Sequence, residues 1–122
     1  MNFLAVFLGG GLGALVRYLL YIILPKNCYL PLCPLTANFL GCFIASIVFT
    51  FFVYKSETNP LFKILLIAGF CGGLSTLSAL SIEVLTYIQN GHYLRAGVYI
   101  LTSLLICTIS VILGITLVKK YV

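Results

Sequence analysis

Apolar residues run along this chain in long unbroken blocks, without the alternation of a half-buried strand. Four blocks stand out, at roughly 3–24, 35–54, 62–88 and 97–118. A helix needs about 20 apolar residues to cross the hydrocarbon core of a bilayer, and each block meets that length. The pattern predicts an all-α membrane protein with four transmembrane helices on short connections, in one domain over residues 1–122. Strands of a membrane β-barrel alternate lipid-facing and lumen-facing positions, so continuous blocks argue against one. The first block lacks a basic leader and a small-residue cleavage site, so it reads as a retained helix.

Composition narrows the classes further. The chain is 62% hydrophobic and 7% charged, and its seven Lys/Arg and two acids cannot coat a soluble domain. The net charge of +5 would suggest nucleic acid on a soluble protein. Here the basic residues flank apolar blocks, so they read as anchors in the lipid bilayer, and no nucleic acid partner is expected. Cys28, Cys33, Cys42, Cys71 and Cys107 have no CxxC spacing, and His92 stands apart from them. Zinc or redox chemistry is therefore not expected. Cys42, Cys71 and Cys107 read as small packers inside the membrane.

Charge also bears on orientation. Both termini and the 55–61 connection fall on one side, with Lys55, Lys63, Lys119 and Lys120. The other side has Lys26 and Arg95, and Arg17 if it reaches outward. This is a weak vote for cytoplasmic termini under the positive-inside rule. Two readings fit so small a bias. Insertion both ways would permit an antiparallel homodimer; a single orientation with a weak signal is the alternative.

Polar groups in hydrocarbon are costly, so they face protein or a wet path. In span 1, Gly9 and Gly13 form a GxxxG, and Arg17 ends the small-residue face of Gly10, Gly13 and Ala14. This is either close helix packing with a snorkelling Arg, or a cation at an anion entrance. In span 2, Pro34 suits a helix start, and Asn38 lies on a stripe with Gly41, Cys42, Ala45 and Ser46. Asn38 either bonds a neighbouring helix or offers donors to an anion. In span 4, Tyr99, Ser103, Cys107, Ser110 and Gly114 form a weakly polar face, and serines there often bond their own backbone.

Span 3 contains GFCGGLSTLSALSIE, residues 69–83. Gly69, Gly72 and Gly73 sit mid-block and predict a break near residues 69–76. A broken helix is tolerated at membrane depth only inside protein or beside a polar cavity. Its free carbonyls suit a cation and its free N–H groups an anion. Beyond the break Thr76, Ala79 and Glu83 share a face, and Ser75, Ser78 and Ser81 follow at steps of three. Glu83 is an intramembrane acid, a mark of function or of a paired structural group. Nucleophile–base pairs, metal clusters and nucleotide loops are not evident, so an enzyme is not expected. A pore, a transporter or an assembly subunit remains.

GGGLGALVRY, PLTANFLGCF and GFCGGLSTLSALSIE together resemble the CrcB/Fluc fluoride channels. The likeness covers the whole chain in length, span number and motif order, and the block beginning GFCGGL is its specific part. The resemblance implies an antiparallel, dual-topology dimer in the inner (plasma) membrane. Two pores at the dimer interface would export cytoplasmic fluoride passively and so reduce its toxicity. A structural sodium ion at the interface would be held by backbone carbonyls, which fall here on Gly72 and Ser75. The family usually has Thr where Ser75 stands, and a backbone ligand is indifferent to that change. The anion pathway would fall on Asn38, Thr76, Ser78, Glu83, Tyr99 and Ser103, with Arg17 at the entrance.

One departure stands out. Where the family typically reads TTFSTF, this chain reads STLSAL, so Leu77 and Leu80 replace two phenylalanines. Leucine has no ring edge with positive charge to offer an anion. Three readings follow: a less polar and slower pore, a heterodimer whose paralogous subunit supplies phenylalanines, or a dead pore. A small multidrug-type exporter is a further alternative. That class depends on an acid in its first span, whereas Glu83 lies in the third.

Overall fold

Helices form where the apolar blocks place them, with ends shifted by a few residues. The computed structural model describes residues 1–55 and 59–121. Helix α1 runs Asn2–Ile23 and α2 runs Leu32–Lys55. The third span is composite: α3 (Pro60–Lys63) widens into a π-helix (Ile64–Cys71) and closes with α4 (Gly72–Leu74). After two extended residues α5 (Leu77–Gln89) restarts it, and α6 spans Tyr93–Tyr121. The stretches Asn2–Ile23, Leu32–Lys55, Pro60–Gln89 and Tyr93–Tyr121 are each long and apolar enough to cross a membrane. Of the predicted 55–61 connection, residues 56–58 lie outside the described residues.

Local chemistry explains the ends. Helix α2 starts at Leu32, two residues before Pro34. Pro34 still falls in the first turn, where its missing N–H has no intrahelical partner to lose. Pro60 opens α3, and Asn59 Oδ1 accepts the Leu61 N–H at 3.1 Å as N-cap. Helix α5 ends at Gln89, and just beyond it Gly91 takes a φ of 74°, the left-handed conformation glycine adopts without strain. There the Gly91 N–H donates to the Ile88 carbonyl and the His92 N–H to the Tyr87 carbonyl. The chain then turns directly into α6.

Glycine-to-glycine contact holds α1 against the π-helix. Gly9 lies on Gly69, Gly73 on Gly10, and Gly13 on the backbone of Phe70 and Leu74. A Cβ on Gly9 would strike the Leu65 carbonyl, and one on Gly13 the Phe70 carbonyl. This corrects the expected reason for the break. Gly72 is helical, with φ −64° and ψ −35°. The interruption comes at Ser75 (φ −75°, ψ 146°) and Thr76 (φ −151°, ψ 120°), the last two residues of the predicted interval. Both conformations are open to any residue. Gly69 and Gly73 serve close approach, and the helix breaks where a hydroxyl pair stands.

Helices α2 and α6 form the other half of the bundle. Ser110 Oγ donates to the Phe39 carbonyl at 2.6 Å across them, and Gly114 lies against Ser46 and Phe43. Tyr99, Ser103, Ser110 and Gly114 are buried, so the weakly polar face of span 4 is its packing face. Large side chains such as Phe3, Phe49, Leu101 and Ile112 are exposed, as a lipid-facing surface requires. Ser110→Ala is expected to lower the unfolding free energy by about 0.6 kcal/mol, a typical value for an interhelical bond in a membrane. Unfolding of the purified protein in mixed micelles measures it.

Candidate anion pathway at the broken helix

Extended backbone inside a membrane leaves peptide groups without helical partners, and each must find another. Asn38 supplies it from α2. The Thr76 N–H donates to Asn38 Oδ1 at 2.7 Å, and Asn38 Nδ2 donates to the Thr76 carbonyl at 3.4 Å. Both residues are buried. The side-chain amide thus pairs with a peptide as a neighbouring strand would. Nδ2 carries two hydrogens, and the Thr76 carbonyl takes one. Of the two roles open to Asn38 in the sequence, interhelical bonding is present, and a donor hydrogen is left over.

The carbonyl side of the break is equally specific. The Ser75 N–H and Ser75 Oγ both donate to the Cys71 carbonyl, at 2.9 and 2.8 Å. The Thr76 N–H, which would serve Gly72 in a continuous helix, goes to Asn38 instead. Among the described residues the Gly72 and Ser75 carbonyls receive no N–H from the broken turn. Gly72 is exposed and Ser75 half-buried.

Past the break, Thr76 caps α5. Its Oγ1 accepts the Ala79 N–H at 3.3 Å and lies 2.9 Å from Ser78 Oγ. The N-terminal end of α5 carries the positive end of the helix dipole. The predicted residues now divide. Asn38, Thr76, Tyr99 and Ser103 are buried in the bundle, whereas Leu77 and Ser78 are exposed and Leu80 and Glu83 half-buried. Leu77 is 77% exposed, so this chain by itself builds no wall around it.

Two tyrosines and a cleft link the break to one membrane face. Tyr99 is fully buried, and its hydroxyl has no hydrogen-bond partner among the described residues. A buried donor left unmatched costs about 1–3 kcal/mol. The Tyr99 ring meets Tyr87 edge-to-face at 6.2 Å between centroids, and Glu83, Tyr87 and Cys33 are its ionisable neighbours. Ser103 Oγ donates to the Tyr99 carbonyl at 2.7 Å, so its hydrogen stays within α6. A cleft of about 460 Å³ opens between α1, residues 24–34 and α5, lined by Arg17, Lys26, Cys33, Thr76, Glu83 and Tyr87. Arg17 and Lys26 outnumber the one carboxylate, which favours anions in the cleft. Gly9 and Gly13 are helix-packing residues away from this cleft.

Sequence reasoning missed three parts of this arrangement. The bonding of Asn38 to Thr76 spans 38 residues and has no local signal. The π-helix has no signature in the apolar run Ile64–Cys71. Arg95, expected in a connection, lies in the first turn of α6. The tyrosine spacing around it was the available hint.

A small multi-pass membrane protein with a pinned, broken third helix is the class that this fold and site define. The family described as "CrcB-like protein, Camphor Resistance (CrcB)" matches residues 4–115. The protein called Fluoride-specific ion channel FluC from Escherichia coli (strain K12) is 42% identical over 103 residues, covering 84% of this chain and 81% of the relative. The relative of the same name from Serratia proteamaculans (strain 568) is 38% identical over 104 residues, covering 84% and 82%. That from Salmonella arizonae is 41% identical over 103 residues. The chain belongs to the CrcB family, and it is a multi-pass protein of the plasma membrane.

Proposed function

We propose that this chain is a fluoride-specific ion channel that lets cytoplasmic fluoride leave passively and so limits its toxicity. It is not an enzyme. The observation that carries the reading is the buried, unpartnered Tyr99 hydroxyl near a cation-lined cleft that reaches the break. A small, strongly hydrated anion needs donors that replace its water. Tyr99, the spare Asn38 N–H and the α5 N-terminus offer them. The curated relatives carry the same function in their names.

The working unit in this reading is an antiparallel, dual-topology dimer with its pores between subunits. Exposed Leu77 and Ser78 on the restarted helix support it, because a second copy would complete their wall. The Gly72 and Ser75 carbonyls fit a sodium ion at such an interface. They stand free of the broken turn, and unwound backbone carbonyls at half-helix ends are suitable oxygen ligands for a sodium ion. When bound there, the ion would neutralise carbonyl charge gathered from both subunits. A second reading is favoured by Leu77 and Leu80: the chain is one subunit of a heterodimer, and a paralogous chain supplies the aromatic edges.

Reconstitution in liposomes tests both. Fluoride efflux from the chain alone, far above chloride efflux, is the expected result on an ion-selective electrode. No efflux from the chain alone would sink the homodimer channel, and recovery on co-expression with a paralogous chain would assign the heterodimer. Leu77→Phe is expected to raise fluoride efflux about fivefold, since a ring edge at an anion contributes on the order of 1 kcal/mol. Unchanged efflux would remove Leu77 from the pore wall.

A further inference from the structure

Arg95 is half-buried in the first turn of α6. Its guanidinium lies over the Tyr29 ring at 4.4 Å and over the Tyr87 ring at 5.6 Å from the centroids. Tyr87 also reaches back to the connection, its hydroxyl donating to the Tyr29 carbonyl at 3.5 Å. The other face of this contact chain runs inward. Tyr87 lines the cleft, and its ring meets Tyr99 edge-to-face at 6.2 Å. Tyr29, Arg95, Tyr87 and Tyr99 therefore form one continuous stack from the outer connection to the buried hydroxyl.

The stack matters because of what Tyr99 lacks. Its hydroxyl has no hydrogen-bond partner among the described residues to fix its direction. Its ring position is set by packing alone, and Tyr87 is a principal contact. Tyr87 borders open space on the cleft side, so its own position depends on what holds it from behind. A guanidinium lying against two rings is suited to that task.

We propose that Arg95 is a positioning residue for fluoride transfer: stacked on Tyr87, it fixes the direction in which Tyr99 presents its hydroxyl to the ion. This rests on the channel reading above. Arg95 is not itself a cleft-lining residue, and it acts through Tyr87, which is one. The same contact with Tyr29 holds the connection over the cleft.

The test combines efflux with a spectroscopic signal. Arg95→Gln is expected to lower fluoride efflux about fivefold, while Arg95→Lys, which keeps a cation over the ring, stays within about twofold. Arg95→Gln placed on Tyr99→Phe is expected to add no further loss, because residues acting as one unit are not additive. The loss should persist at high ionic strength, where mere attraction of anions by the charge is screened. The chain has eight Tyr and no Trp, so its near-UV circular dichroism reports tyrosine packing. That band should weaken in Arg95→Gln and survive in Arg95→Lys. Multiplying losses in the double variant, or a loss abolished by salt, would overturn the positioning role. An unchanged tyrosine band in Arg95→Gln would overturn the stack whatever the efflux. Absent efflux from the wild-type protein would overturn the channel reading instead.

Discussion

Asn38→Asp abolishes fluoride efflux, reducing it at least about 100-fold, which corresponds to roughly 2.7 kcal/mol on the transfer barrier. Aspartate keeps an oxygen for the Thr76 N–H. It replaces the Nδ2 donor with a second oxygen, facing the Thr76 carbonyl at a place where the amide sits 3.4 Å away. A buried carbonyl left without its donor costs about 1–3 kcal/mol. The substitution also removes the spare N–H and puts a negative charge in the path of an anion, so three effects act in one direction. Efflux from liposomes measures the loss, and size-exclusion of the purified variant separates it from misfolding. Efflux near the wild-type rate in a well-folded variant would show that Asn38 neither pins the break nor meets the ion.

Gly13→Ala prevents α1 from seating on the third span. The added Cβ would collide with the Phe70 carbonyl and come within 2.8 Å of the Leu74 nitrogen. Both are backbone atoms in packed helices, so no side chain can move aside. Overpacking costs about 1–3 kcal/mol where neighbours can adjust, and the upper end applies here. Gly9→Ala meets the Leu65 carbonyl in the same way. Gly11→Ala is the control, because a Cβ there has nothing within 4 Å. Thermal unfolding in detergent should fall clearly for Gly9→Ala and Gly13→Ala and stay level or rise for Gly11→Ala, where alanine favours the helix. Equal melting of all three variants would remove the glycine seam as a source of stability.

These glycines also show where sequence reasoning stops. Four spans were legible because length and continuity of apolar residues are local properties. The interval of the break was legible too, since nothing else in span 3 combines glycines and hydroxyls. Its cause was not. A glycine in sequence signals either free dihedrals or close approach, and only the partner decides. The partners of Gly69 and Gly73 are Gly9 and Gly10, some 60 residues away in the chain. In the same way the sequence shows Asn38 as a polar residue within a span, but its bond to Thr76 depends on how α2 crosses the third span. The divided placement of buried Tyr99 and exposed Leu77 belongs to the assembled bundle and has no trace in spacing. Arg95 falls in a connection by sequence because α6 begins four residues earlier than its apolar block.

The bond between Asn38 and Thr76 has a bearing on how the chain is made. Membrane proteins leave the ribosome N-terminus first, and helices enter the bilayer in that order. α2 therefore precedes the broken segment, and the amide that satisfies Thr76 is already in place when Ser75 and Thr76 emerge. Peptide groups that would each cost several kcal/mol in bare lipid meet their partner on arrival. Helix α6 follows and closes over Tyr99. Chain order alone thus lets the irregular part of the protein be the third thing built, inside a groove that two earlier helices have prepared.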